Sequence, residues 1–495
     1  MNVRLLIILV YLCATLIIGT LFRRQASRSS VEFFLAGRSL STLLLFFTMT
    51  ATNFSAFTIF GFSGAGYRIG YSFYPVMGFG TGFMALSFVI IGAKILLLSR
   101  QRGYLVPSDF LYDRYRSVLL KKLFSLVMVV FTLPYIALQA IASGRSLESL
   151  TGIPYLLGAL LVTGFVVGYV TLGGMRSIAW TDLFQGVLML GFTLTAFTII
   201  ASRSGGFVRT HQRIFSSFPE LFSRPGGSGA MAPGIWIGYM MLWFFADPMF
   251  PQLFQRFMAA RNREALDRTV VLYPLITTFL FFLTVSIGVM GKGTFPSLGA
   301  GESDNVFPLL LGEYTGLAVS TLLLTGSIAA LMSTMDSQLL TLTAIIAVDF
   351  VPLGKREVLK EKIIIAVLGA AGFLIALKPP LTILDFISRT TFNGLSVLAP
   401  SVIGGLYWKR ANRYAAVSSI LVGACGLSGT IAQLRASPAI SFEIDEADRS
   451  VCAYAELYHA DVPMDFVELH WRLKASNGDI VRQGERVYPA GDRVT

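Results

Sequence analysis

Charge is what this chain has least of. Only 14 % of its 495 residues are Asp, Glu, Lys or Arg, against about 25 % in soluble proteins, so a water-facing surface cannot be built along its whole length. Histidine is scarce too. Of the three histidines two lie in the last forty residues or so, no nucleophile-plus-base arrangement is evident, and no phosphate-cradling glycine loop appears, which argues against an enzyme. Three cysteines, Cys13, Cys425 and Cys452, show no paired spacing, so neither a disulfide framework nor a zinc site is indicated and the redox compartment stays open.

In place of charge the chain has apolar residues, 54 % of the total. They fall in runs near twenty residues, the length an α-helix needs to cross about 30 Å of hydrocarbon. About twelve spans are expected, at 3–22, 41–66, 72–98, 121–143, 153–172, 177–201, 234–256, 268–290, 315–347, 362–378, 382–407 and 414–433. The chain therefore reads as an all-α polytopic membrane protein with the lipid bilayer as its solvent. Its net charge of +12 does not point to nucleic acid, because the basic residues sit between apolar blocks without interleaved aromatics. Alternate loops carry about 23 Lys/Arg on one side and about 8 on the other. The positive-inside rule then puts the amino terminus outside a cell membrane, and with twelve spans the carboxyl terminus outside as well. Arg23-Arg24 stands where a signal peptide would carry small residues, so the first run is expected to be a retained helix.

Four regions follow: 1–40, an extra amino-terminal span and cytoplasmic loop; 41–410, the core; 411–435, a last span; and 436–495, a polar appendage. In the last of these Val467, Leu469, Trp471 and Leu473 alternate with polar residues, and Asn477-Gly478 precedes 480–488, a pattern that predicts a β-hairpin.

Polar groups inside lipid are costly and tend to line a solute path. Span two reads Thr48 to Ser55 around Asn53, followed by Thr58, Gly61, Ser63, Gly64 and Gly66, a composition that lets a helix unwind and free its carbonyls for a cation or solute. A small-residue packing face is the alternative. Span seven carries Trp243, Asp247, Pro248, Pro251, Gln252, Gln255 and Arg256; its two prolines predict a break, and Asp247 there could face a solute, move a proton or cap the next half-helix. In span nine Ala330, Ser333, Thr334 and Ser337 have offsets 0, 3, 4 and 7 and share one helical face, where hydroxyl oxygens suit a hard cation such as Na⁺ or form a packing seam. Asp182 in span six is a further carboxylate. Interrupted spans five apart fit a five-helix unit repeated with opposite orientation.

Several motifs occur in order: Phe33-Phe-Leu-Ala-Gly-Arg38, Gly103 to Phe110 with Arg114-Tyr115, Gly173-Gly174, Trp180-Thr181-Asp182 with Gln185, Gln255-Arg256 with Ala259-Ala260, Ala330 to Thr334, and Gly405 to Arg410. In these the chain resembles the sodium:solute symporter family from about Val31 to Arg413. The resemblance implies a leucine-transporter-like 5+5 inverted repeat preceded by one extra helix, and sodium-coupled uptake of a small organic solute with no organic cofactor. It implies a Na⁺ site at the carbonyls of Ala51, Phe54 and Ala330 and the hydroxyls of Ser333 and Thr334, and a possible second ion site at Asp182 with Ser337. The implied solute contacts are Asn53, Thr58, Trp243, Asp247, Pro251 and Gln252. An amino acid, an amine-bearing metabolite or a carboxylate fits these positions better than a sugar. The alternatives are a proton-coupled or uncoupled carrier on the same scaffold, or a sensor that no longer transports.

Overall fold

The computed structural model describes residues 3–78, 80–227, 231–351, 357–378 and 388–435, with four strands between 439 and 489. It divides into two units, Met1–Leu421 and Val422–Thr495.

The first unit is helical. Apolar α1 (Val3–Thr20) is followed by the short α2 (Ser30–Leu35), whose cap Ser29 accepts from the Glu32 amide. The helix α3 (Thr42–Asn53) starts at the Ser41 cap and stops at Phe54, whose ψ of 100° is extended. A turn of π-helix at Phe57–Gly61 leads into α4 (Phe62–Ile69), and this second segment is bent by 59° from α3. Span two is thus interrupted where its small and hydroxylated residues cluster. Next come α5 (Tyr74–Arg102), α6 (Pro107–Tyr115), and α7 (Val118–Thr151), which runs from the Ser117 cap to Gly152. The 49-residue α8 (Tyr155–Arg203) bends at Gly174, where φ is +59°, so the expected spans 153–172 and 177–201 are two limbs of one bent element.

The short α9 (Phe207–Ser217) precedes α10 (Pro233–Ala246); a 3-10 turn at Asp247–Met249 and an extended Phe250 separate it from α11 (Pro251–Ala259). Proline opens both of these helices, a position where its missing amide costs nothing. After them come α12 (Arg263–Thr294), α13 (Val306–Tyr314), α14 (Leu317–Asp349), α15 (Glu357–Ala376), α16 (Ala399–Tyr407) and α17 (Arg413–Arg435).

Among the described residues six helices, α1, α5, α7, α8, α12 and α14, are long and apolar enough to cross a membrane, and the bent α3–α4 pair makes a seventh. Burial ranks them: 78 % of the most apolar window of α14 is inside the protein against 28 % for α1, so α14 is the central rod and α1 a peripheral one. Against α14 pack α7, α8 and α3. The first six residues of the eleventh expected span, 382–387, lie outside the described residues.

In the second unit β1 (Ala439–Asp445) pairs antiparallel with β2 (Ser450–Glu456), and β3 (Phe466–Lys474) with β4 (Ile480–Pro489). Asn477-Gly478, the expected turn, lies outside the described residues.

Candidate solute and cation site

The break after α3 releases backbone groups that lipid cannot satisfy, so each needs a partner within the protein. Most come from α14. Ser333 Oγ lies 3.0 Å from the carbonyls of Ala51 and Ala330, and Thr334 Oγ1 lies 3.0 Å from Thr52 O, 3.1 Å from Phe54 O and 3.1 Å from Ala330 O. The expected quintet of Ala51, Phe54, Ala330, Ser333 and Thr334 is therefore one neighbourhood, buried throughout. Its oxygens are neutral and hard: three carbonyls and two hydroxyls that donate to them. A hydroxyl can turn its hydrogen away and present a lone pair instead, which makes the cluster capable of ligating a desolvated monovalent cation.

The remaining groups of the break go elsewhere. Thr58 Oγ1 donates to Asn53 O at 3.3 Å, the Ala56 amide donates to Gln139 Oε1 at 3.1 Å, and Tyr135 OH donates to Ser55 Oγ at 2.9 Å. Tyr135 and Gln139 lie one turn apart on α7 and were not among the expected site residues. A lone glutamine in an apolar span was the available signal.

On the other side of the break lies the second interruption. Asn53 Nδ2 donates to Asp247 Oδ2 at 3.4 Å and also contacts Tyr273 OH of α12. Asp247 is 1 % exposed, and among the described side chains no cation pairs with it. Trp243 is buried against Phe57, Phe392 and Tyr239, with ring centroids 5.7, 4.5 and 6.1 Å away. The indole N–H of Trp243 and Oε1 of Gln252 are buried and have no hydrogen-bond partner among the described residues. Pro251 opens α11 directly below the turn. Asn53, Thr58, Trp243 and Asp247 thus frame one aromatic-walled region. Tyr273 and Phe392 join it unforeseen, since both read as ordinary apolar-span residues in sequence.

Asp182 and Ser337 come together through a third residue. Fully buried Arg256 donates from Nη2 to Asp182 Oδ2 at 3.2 Å and to Ser337 Oγ at 2.5 Å, from Nε to Thr48 Oγ1 at 2.9 Å, and from Nη1 to Gln252 O at 2.9 Å. Thr48 donates in turn to Asp182, while Asp336 accepts from Ser337 at 3.0 Å and from Tyr169 OH at 2.7 Å. Thr52 Oγ1 lies 2.8 Å from Ser337 Oγ and joins this network to the unwound segment.

Comparisons with known proteins give the family of the chain and relatives of its fold. Residues 33–423 match the sodium:solute symporter family. The sodium/pantothenate symporter of Escherichia coli (strain K12) is 29 % identical over 402 residues, covering 79 % of this chain and 82 % of that protein. The osmoregulated proline transporter OpuE of Bacillus subtilis (strain 168) is 27 % identical over 447 residues, 86 % and 88 % of the two chains. Among solved structures, the substrate-bound outward-open state of a Na⁺-coupled sialic acid symporter superposes with a TM-score of 0.73 at 20 % identity, covering 87 % of this chain and 92 % of that one. MHP1, a nucleobase-cation-symport-1 family transporter, gives a TM-score of 0.55 at 12 % identity over 80 % and 95 % of the two chains. At such identities these two structures establish the fold alone. With four-fifths of its length matched in order, the chain belongs to the sodium:solute symporter family, whose members couple solute transport across a membrane to sodium.

Proposed function

We propose that this protein carries a small organic solute bearing a protonated amine into the cell, driven by Na⁺ bound between α14 and the unwound end of α3. The observation that carries this reading is the reach of Ser333 and Thr334 across to the carbonyls of Ala51, Thr52 and Phe54. Sodium would take the carbonyls of Ala51, Phe54 and Ala330 and the hydroxyls of Ser333 and Thr334. Binding there ties the broken helix to the central rod and favours the conformer that accepts solute. A ligand shifts an equilibrium only by its difference in affinity between states, so coupling requires that ion and solute stabilise the same conformer. At about 2.3 kcal/mol per charge per 100 mV, one Na⁺ supports a roughly fifty-fold solute gradient before its own concentration ratio contributes.

The solute would lie against Asn53, Thr58, Trp243, Asp247, Pro251 and Gln252, with its ammonium on Asp247. Proline carries both an ammonium and a carboxylate; among the described residues the Trp243 indole N–H and Gln252 Oε1 have no hydrogen-bond partner, which leaves a donor for a carboxylate and an acceptor for an ammonium. The chain would hold one sodium only, because Arg256 already places a cation between Asp182 and Ser337. In this reading twelve crossings enclose a 5+5 inverted repeat whose two copies open with the breaks at Phe54 and Phe250, the amino terminus and the 436–495 β-rich appendage lie outside, and access alternates between the two faces.

Uptake of radiolabelled amino acids and amines into vesicles with and without a sodium gradient tests the reading. A second reading, proton coupling through Asp247, draws on the same buried carboxylate. Uptake that follows a pH gradient and ignores sodium would favour it.

A further inference from the structure

A cavity of about 360 Å³ lies between the segment from Arg23 to Phe33 that follows α1, the end of the first limb of α8 at Thr171 and Leu172, and the first turns of α15 at Glu361 and Lys362. Arg23, Arg24, Arg28 and Lys362 line it, against a single carboxylate, Glu361. Among the described residues no carboxylate forms an ion pair with any of the three arginines. The volume falls in the range of small-ligand pockets, about 300–1,000 Å³.

Its surroundings say where the cavity sits. Leu21, Leu172 and Ile363, next to or within its wall, are 64, 40 and 54 % exposed, as side chains facing acyl chains would be. Phe22 stacks on the exposed Trp180 with ring centroids 6.2 Å apart and planes inclined by 14°. Amphipathic aromatic rings collect at the level of lipid headgroups, and basic pockets between spans at that level bind lipid phosphates. A phosphate in this cavity would meet guanidinium groups on one side while its acyl chains lay along the apolar residues beside it.

We propose that this cavity is a binding site for the phosphate-bearing headgroup of an anionic phospholipid, independent of the cation and solute sites. The shared chemistry is a phosphate between arginines; the lipid-facing rim assigns it to a lipid rather than to a free anion. A lipid held there would bridge the segment after α1 to α8 and α15 at one edge of the membrane.

Native mass spectrometry of the full purified chain tests this, with dioleoylphosphatidylglycerol, dioleoylphosphatidylcholine and inorganic phosphate as probes. Arg24 and Arg28 are exposed, so R24Q/R28Q is expected to fold with an unchanged melting temperature in lipid-free detergent. Phosphatidylglycerol should bind tighter than phosphatidylcholine, and R24Q/R28Q should lower its affinity by about five-fold for each charge removed. K409Q/R410Q, which removes the same charge from exposed positions outside the cavity, should leave the affinity unchanged. Equal retention of the two lipids, or equal loss in both double variants, would overturn the proposal. Inorganic phosphate that displaces phosphatidylglycerol at similar concentration would overturn the lipid assignment.

Discussion

Arg256 Nη2 and Asp182 Oδ2 stand 3.2 Å apart with both side chains fully buried, an ion pair that joins α11 to α8 through the middle of the protein. Removing one member of such a pair strands the other and costs about 3–5 kcal/mol. Arg256→Gln should lower the melting temperature sharply, and Arg256→Gln combined with Asp182→Asn should recover part of the loss. Melting curves of the four proteins in detergent measure the coupling; additive losses would show that the pair carries no shared energy.

If Asp247 receives an ammonium, Asp247→Asn keeps the shape of the site and loses the charge. A charge-assisted hydrogen bond is worth about 1.5–3 kcal/mol, so KM for an amine-bearing solute should rise about 10- to 150-fold, with sodium binding by the empty protein intact. An unchanged KM would remove the amine from the proposed solute class.

Gly288 of α12 lies so close to α4 that an added Cβ would collide with the Ser63 carbonyl oxygen and stand 2.8 Å from the Tyr67 amide. Both neighbours are backbone and cannot swing aside. Gly288→Ala should destabilise by about 1–3 kcal/mol or more through overpacking, seen as a lower melting temperature; a neutral result would mean that α4 and α12 part at no cost to make room for the methyl group.

In the loop helix α9 the ring of His211 is held between Tyr71 OH, 2.7 Å from Nε2, and the Phe207 carbonyl, 2.7 Å from Nδ1. Burial lowers its pKa below the ordinary value of 6.5. The folded protein therefore binds this proton less readily than the unfolded chain. The stability His211 contributes is complete above pH 6.5 and falls as pH drops from there toward the folded pKa. Thermal stability measured from pH 8 to pH 5 should show this decline, and His211→Gln should flatten it. A decline of the same size in the variant would place its origin in other groups.

Much of the site was legible because its signals are local. The 0, 3, 4, 7 spacing of Ala330, Ser333, Thr334 and Ser337 fixes one face of a helix whatever that helix packs against, and the density of small and hydroxylated residues around Asn53 marks where lipid-buried backbone can come free. Asp247-Pro248 and Pro251 mark the second interruption because proline removes donors wherever it stands. Partnerships across the fold were not legible. Nothing near Asp182 or Ser337 shows that Arg256, 74 and 81 positions away, lies between them. Tyr135, Tyr273 and Phe392 look like any aromatic of an apolar span until the packing brings them to the breaks. The bend at Gly174 joins what sequence divides into two spans, since hydropathy records a pause and not the direction of the chain through it.

Direct binding of radioactive ²²Na⁺ to the purified protein tests the central claim, using wild type and the Ser333→Ala/Thr334→Ala variant. Two lost hydroxyl ligands at about 1 kcal/mol each predict an affinity weaker by roughly thirty-fold, with saturation in the wild type at one ion per chain. Sodium binding of equal affinity in the double variant would contradict the account.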